Sequence, residues 1–196
     1  MQVKLEKRFS VPARPEAVWA FMQDIKGVAE CMPGAEITNK IDSTHYSGLI
    51  KVKIGPVSTA FNGRVEIKGS DAARRELKLL GTGSDVKGAS TASMNLTATV
   101  RDTGNGTSEV AGVSEVNVSG KIANFGGRMM TDVSERLINQ FAENFRTRVT
   151  AAGNSKQPAA GADAPVREIN AFTLVFGVLW GYLKRLFTGK STGPDK

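Results

Sequence analysis

The sequence predicts an α+β fold in which a curved antiparallel sheet wraps on one long C-terminal helix, followed by a flexible linker and an apolar tail helix. Three observations predict it. Several runs between residues 45 and 118 alternate apolar and polar side chains with period two, separated by turns rich in Gly and Pro. From Ile122 to Val149 apolar residues return at steps of three and four. Beyond residue 152 a Gly/Ala/Pro/Ser segment leads into uncharged, aromatic-rich sequence. The resulting division is 1–152 for the sheet-and-helix domain, 153–167 for the linker and 168–196 for a docking helix.

Val3, Leu5 and Phe9 set up a first strand that ends at Val11-Pro12. Pro15 opens a short helix, because a first-turn residue needs no amide donor. Val18, Phe21, Met22 and Ile25 give that helix its apolar face. After a Pro33-Gly34 turn, Ile50, Val52 and Ile54 alternate with Lys51 and Lys53. Beyond Gly55-Pro56, Val57, Thr59, Phe61, Val65 and Ile67 alternate with polar neighbours. Leu77 and Leu79 mark another strand, and Met94, Leu96, Ala98 and Val100 the next, closed by Thr103-Gly104-Asn105-Gly106. Val110, Val116 and Val118 mark the last, with Gly112 read as a bulge. Six or seven strands are expected. Ile122, Phe125, Met129, Val133, Leu137, Phe141, Phe145 and Val149 then form the apolar stripe of one long helix, opposite Asp132, Glu135, Glu143 and Arg146.

Composition narrows the function. The 196 residues are 40 % apolar and 23 % charged, with a net charge of +7. Residues 1–152 contribute +4 of this and the last 44 residues +3. The cations are spread out, with no basic stripe or nucleic-acid module, so nucleic acid is not an expected partner. An anionic membrane surface suits the charge better. Cys31 is the sole cysteine, which excludes an intramolecular disulfide. Met1 to Arg8 alternates apolar and polar residues instead of forming an apolar run, so a cytoplasmic protein without a signal peptide is expected.

Catalytic chemistry is poorly provided for. His45 is the only histidine, so with Cys31 alone there is no zinc-ligand pattern. A Cys31–His45 nucleophilic pair is outweighed by a packed Cys31 in the Met-Pro-Gly turn and a His45 opening an exposed strand. Gly81-Thr82-Gly83 lacks the Gly-Lys-Ser/Thr that would complete a phosphate loop, and strand glycines mark bends. Phe61, Met94, Phe125, Met129, Val133 and Leu137 are expected to face the space between sheet and helix. They serve as ordinary core or as the lining of an apolar pocket, for which methionine is well suited. Gly126-Gly127 thin the predicted helix where such a pocket would open.

The tail is the most informative segment. Ile169 to Leu183 carries no charge across 15 positions, and Lys184-Arg185 follow at once. As a helix this reaches only about 22 Å, against roughly 30 Å of hydrocarbon. At 100° per residue, Phe172, Phe176, Leu179, Trp180, Leu183 and Phe187 gather on one side, opposite Asn170, Thr173, Gly177 and Gly181. The expected arrangement is a helix in the membrane interface, bulky side down, with Lys184 and Arg185 near the headgroups. Gly177-x-x-x-Gly181 leaves a helix–helix contact open. A true span and a tail folded back on its own domain also remain open.

Phe9-Ser10-Val11-Pro12, Val18-Trp19-Ala20-Phe21 and Asp24 resemble the opening of START-like (SRPBCC) proteins, and the element order resembles their helix-grip fold. Cys31-Met32-Pro33-Gly34-Ala35, Val52-Lys53-Ile54-Gly55-Pro56-Val57 and Phe61-Asn62-Gly63 resemble the carbon monoxide dehydrogenase CoxG-like family over about residues 1–150. The resemblance implies a non-catalytic accessory of a carbon monoxide dehydrogenase-type molybdenum hydroxylase, carrying no redox centre of its own. With the tail, it points to a protein attached peripherally to the inner face of the cell membrane. Such a protein would recruit the enzyme there and hold a lipophilic cargo, a respiratory quinone. The alternative is an anchoring scaffold or maturation factor without cargo. A cyclase or hydrolase comes third for want of an acid–base pair. Deleting residues 166–196 should abolish co-sedimentation with vesicles while leaving the circular dichroism of the domain intact. Retained vesicle binding would refute the assignment of the tail.

Overall fold

The computed structural model describes residues 1–55 and 57–154; Pro56, the predicted tail and most of the predicted linker lie outside it. Seven strands form one antiparallel sheet in the order β1-β7-β6-β5-β4-β3-β2. They are β1 (Gln2–Val11), β2 (Ala35–Lys40), β3 (His45–Ile54), β4 (Val57–Asp71), β5 (Glu76–Asp85), β6 (Ser90–Gly104) and β7 (Thr107–Gly120). Two short helices, α1 (Pro15–Met22) and α2 (Ile25–Ala29), separate β1 from β2. A 3-10 segment (Lys121–Phe125) and the long α3 (Gly127–Asn154) follow β7.

The turns follow from local chemistry. Asn105 (φ 53°) and Gly106 (φ 71°) supply the two left-handed positions that a two-residue hairpin between β6 and β7 requires. Pro15 stands at the start of α1, and the Asp24 side chain caps α2 by accepting the Gly27 amide at 3.1 Å. Gly120 (φ 79°) lets the chain leave β7 past the Ala89 carbonyl, which a Cβ there would strike.

Four expectations need correction. β2 was not expected; it is an edge strand whose pairing with β3 shifts register between Ile37 and Asn39. Ile25 belongs to α2, separate from the helix carrying Val18 and Phe21. Gly112 pairs in register with both Lys7 and Ala98 and makes no bulge. The long helix begins at Gly127, not Ile122. Ile122 and Phe125 lie in the 3-10 segment, and Gly126, at φ 79°, stands between the two helical pieces.

The core is two clusters. The larger joins Phe9, Val11, Val18, Trp19, Met22, Tyr46, Leu77, Val100 and Val110 to Ala142, Phe145 and Val149 of α3. The smaller joins Ile54, Phe61, Val118 and Ile122, with Phe125, Met130 and Val133 packed on it. Phe145 is the keystone of the first. Its ring lies 5.1 Å from Phe21 and 5.8 Å from Phe9, both edge-on, and 5.7 Å from Phe141. Polar ties hold the same end: Asn144 Nδ2 donates to the Cys31 carbonyl at 2.9 Å, Arg146 Nε to the Ser10 carbonyl at 2.7 Å, and Arg148 pairs with Glu30 at 2.6 Å. Phe145→Ala should therefore cost about 3–5 kcal/mol, read as a lower denaturation midpoint. A loss below about 1 kcal/mol would show that α3 is not anchored there.

Candidate functional site

Strand register assigns the side chains that face α3. On β4 the inward row runs Phe61, Gly63, Val65, and on β3 Ile50, Gly48, Tyr46. Phe61 and Ile50 belong to the smaller cluster, Val65 and Tyr46 to the larger, with a glycine between them on each strand. The same interruption recurs across the sheet. β5 contributes Gly81 and Gly83, β6 Met94 and Leu96, β7 Gly112 and Ser114, and β1 Leu5 and Lys7. On α3 the corresponding residue is Leu137, between Val133 of the smaller cluster and Phe141 of the larger. A band therefore crosses the helix-bearing face between two closed cores. Gly48, Gly63, Gly83 and Ala92 face one another along it without a large side chain. Leu5, Met94, Leu96 and Leu137 are half-buried there and join neither cluster.

This band divides the six residues expected to face the interior. Met94 and Leu137 lie in it, Met94 over Gly81. Phe61, Phe125 and Val133 pack in the smaller cluster. Met129 is 37 % exposed and sits 3.7 Å from where a Gly55 Cβ would be, outside the interior; Met130 takes the inward place. Gly126-Gly127 do not thin a helix, since Gly126 precedes it. Phe172, Phe176, Leu179, Trp180, Leu183, Lys184, Arg185 and Phe187 lie outside the described residues.

Sequence reasoning missed Leu5, Leu96 and above all Lys7. In β1 the inward positions are odd-numbered: Val3, Leu5, Lys7, Phe9 and Val11. Lys7 thus occupies a core parity, half-buried opposite Gly112, and among the described residues no carboxylate pairs with it. Its stem can lie along apolar surface while the ammonium offers donors to a polar group. Strand parity alone would have exposed it.

The groups considered for catalysis are placed apart in function. His45 Nδ1 contacts the Asp42 carboxylate at 2.9 Å on the exposed end of β3. Asp42 is held well below the usual carboxylate range, first by the Thr44 amide and then by His45. Cys31 is fully buried, and its Sγ donates to the Gly27 carbonyl at 3.3 Å. Burial pushes the thiol up to about 11, against the pull of Arg148. Gly81 and Gly83 face α3 within β5, as floor of the band and not as a phosphate loop. Among the described residues no group of three or more His, Cys, Asp or Glu could hold a metal ion. Nor is any helix among them long and apolar enough to cross a membrane.

Comparisons with known proteins agree with this architecture. Residues 8–150 match the carbon monoxide dehydrogenase CoxG family, and the chain belongs to that family. A conserved protein from Geobacillus kaustophilus superposes with a TM-score of 0.70 at 18 % identity, over 76 % of this chain and 97 % of that one. The Zhui aromatase/cyclase from Streptomyces sp. R1128 gives 0.58 at 15 %, over 83 % and 100 %. A START superfamily protein from Mycobacterium smegmatis gives 0.52 at 14 %, over 76 % and 98 %. These likenesses show the START-like helix-grip fold. No curated protein matches the sequence.

Because the Cys31 thiol stays protonated well above neutrality, iodoacetamide at pH 8 should leave the native chain unmodified and label it fully in denaturant. Rapid native labelling would revive Cys31 as a nucleophile.

Proposed function

We propose that this member of the CoxG family is a non-catalytic carrier serving a carbon monoxide dehydrogenase-type molybdenum hydroxylase. The band between the two cores holds a lipophilic cargo, a respiratory quinone, and the tail from 168 to 196 brings the assembly to the cytoplasmic membrane. A quinone accepts electrons but is confined to lipid, so presenting it in a protein cavity would couple the enzyme to the electron-transport chain.

The observation that carries this reading is the half-buried state of Leu5, Met94, Leu96 and Leu137 beside a glycine floor. Apolar side chains left out of both cores gain about 25 cal/mol for each Å² that a guest covers. Lys7 adds one donor at the edge of this apolar strip, suited to a quinone carbonyl. The family's name supports the choice of enzyme partner.

A second reading, a scaffold or maturation factor without cargo, draws on a specific observation too. Phe61, Phe125 and Val133 are consumed in ordinary packing. Met94→Trp separates the two. If the band admits a guest, the indole enters free space: bound quinone in organic extracts of the purified chain should fall from near one per chain to below a tenth, with an unchanged denaturation midpoint. If the band is filled core, no quinone is recovered from either protein and the larger ring costs about 1–3 kcal/mol.

A further inference from the structure

The end of the domain that holds the β3–β4 hairpin combines exposed apolar side chains with unopposed cations. Of the exposed large hydrophobic residues, Val57 (40 %), Val86 (53 %) and Met129 (37 %) all gather here. Met129 lies over Gly55 at the hairpin tip, and the Val86 amide donates to the Ala60 carbonyl at 2.9 Å. A groove of about 500 Å³ runs beside Val86, between Lys51 and Lys53 of β3, Ser58 and Ala60 of β4, and Lys87. Lys121 is adjacent, its amide bonded to the Ala89 carbonyl at 3.0 Å, and Arg128 precedes Met129.

No carboxylate lines the groove. Asp85, the nearest in sequence, is buried and accepts the Thr59 hydroxyl at 2.6 Å, which shapes the turn that presents Val86 and Lys87. Asp132 stands one helical turn beyond Arg128. Five cations thus face outward around three apolar side chains. This is the composition that binds an anionic lipid surface: the cations meet headgroups and the apolar tips reach the acyl boundary.

We propose that the β3–β4 tip, the turn after β5 and the start of α3 form a membrane-docking surface on the folded domain itself, specific for anionic bilayers. It is distinct from the tail and deepens the carrier reading, on which its purpose rests. The smaller core cluster lies directly behind this surface, so docking would set that end of the helix-bearing face against the lipid that holds the cargo.

The test uses the full chain carrying Val86→Cys, labelled with the environment-sensitive fluorophore NBD, since the buried Cys31 is a poor competitor. Phosphatidylglycerol/phosphatidylcholine vesicles should raise and blue-shift the emission; pure phosphatidylcholine vesicles should not. Adding K51E, K53E and K87E should reduce the apparent vesicle affinity read by the probe at least about tenfold, each lysine near the surface being worth roughly fivefold. K51Q/K53Q/K87Q should fall between, which excludes misfolding as the cause. The tail should keep the charge-reversed chain in the vesicle pellet. Unchanged, water-like emission from vesicle-bound chain overturns the tip surface while leaving the tail and cargo readings standing. A response to the dehydrogenase but not to vesicles also overturns it, in favour of a protein contact. Failure of the full chain to pellet at all overturns both membrane readings.

Discussion

Phe145 determines where α3 lies, and the position of α3 determines what the sheet's inner face can hold. Caged by Phe9, Phe21 and Phe141, it fixes the C-terminal half of the helix against β1 and α1. Asn144, Arg146 and Arg148 tie the flanking turns to the same end. The other half has no fully buried side chain: Met130, Val133 and Leu137 are only half-covered. A helix clamped at one end and lightly held at the other leaves the middle of the sheet to be covered by something else. Close-packed interiors tolerate few voids, so two complete cores separated by a glycine band need an explanation beyond stability.

The strand alternation and the helical stripe were legible in the sequence because each buries one face. β2 was not, since Ile37 is the one large apolar side chain on an edge strand that buries almost nothing. The start of the helix was misplaced because Ile122 and Phe125 are three apart, a spacing that suits a 3-10 segment as well as an α-helix. Met129 and Met130 are identical neighbours, and periodicity had no means of choosing the inward one. The band itself was invisible strand by strand. Gly48, Gly63 and Gly83 become one feature only when register aligns them, and register is a property of the paired sheet. Lys7 was hidden by its chemistry, because a lysine among alternating residues reads as solvent-facing even when its parity is that of Leu5 and Phe9.

The same helix-grip scaffold carries an aromatase/cyclase among the proteins that this chain superposes on, so fold alone does not select the function. The side chains placed between sheet and helix do. Here they are aliphatic residues, methionine, glycines and one lysine. The sole histidine is spent on Asp42 at the surface, and the sole cysteine on a carbonyl inside the core. That inventory suits holding a molecule better than transforming one.

Methionine methyl groups offer the most direct test of the band as a cargo site. In the full chain labelled with 13C-methyl methionine, titration with a short-chain quinone should shift the Met94 resonance, which lies in the band. Met22, closed within the larger core, should stay unmoved. Saturable movement of Met94 alone is the result predicted here. A spectrum in which Met94 stays fixed while Met22 or no methionine responds would contradict a binding site between the two cores.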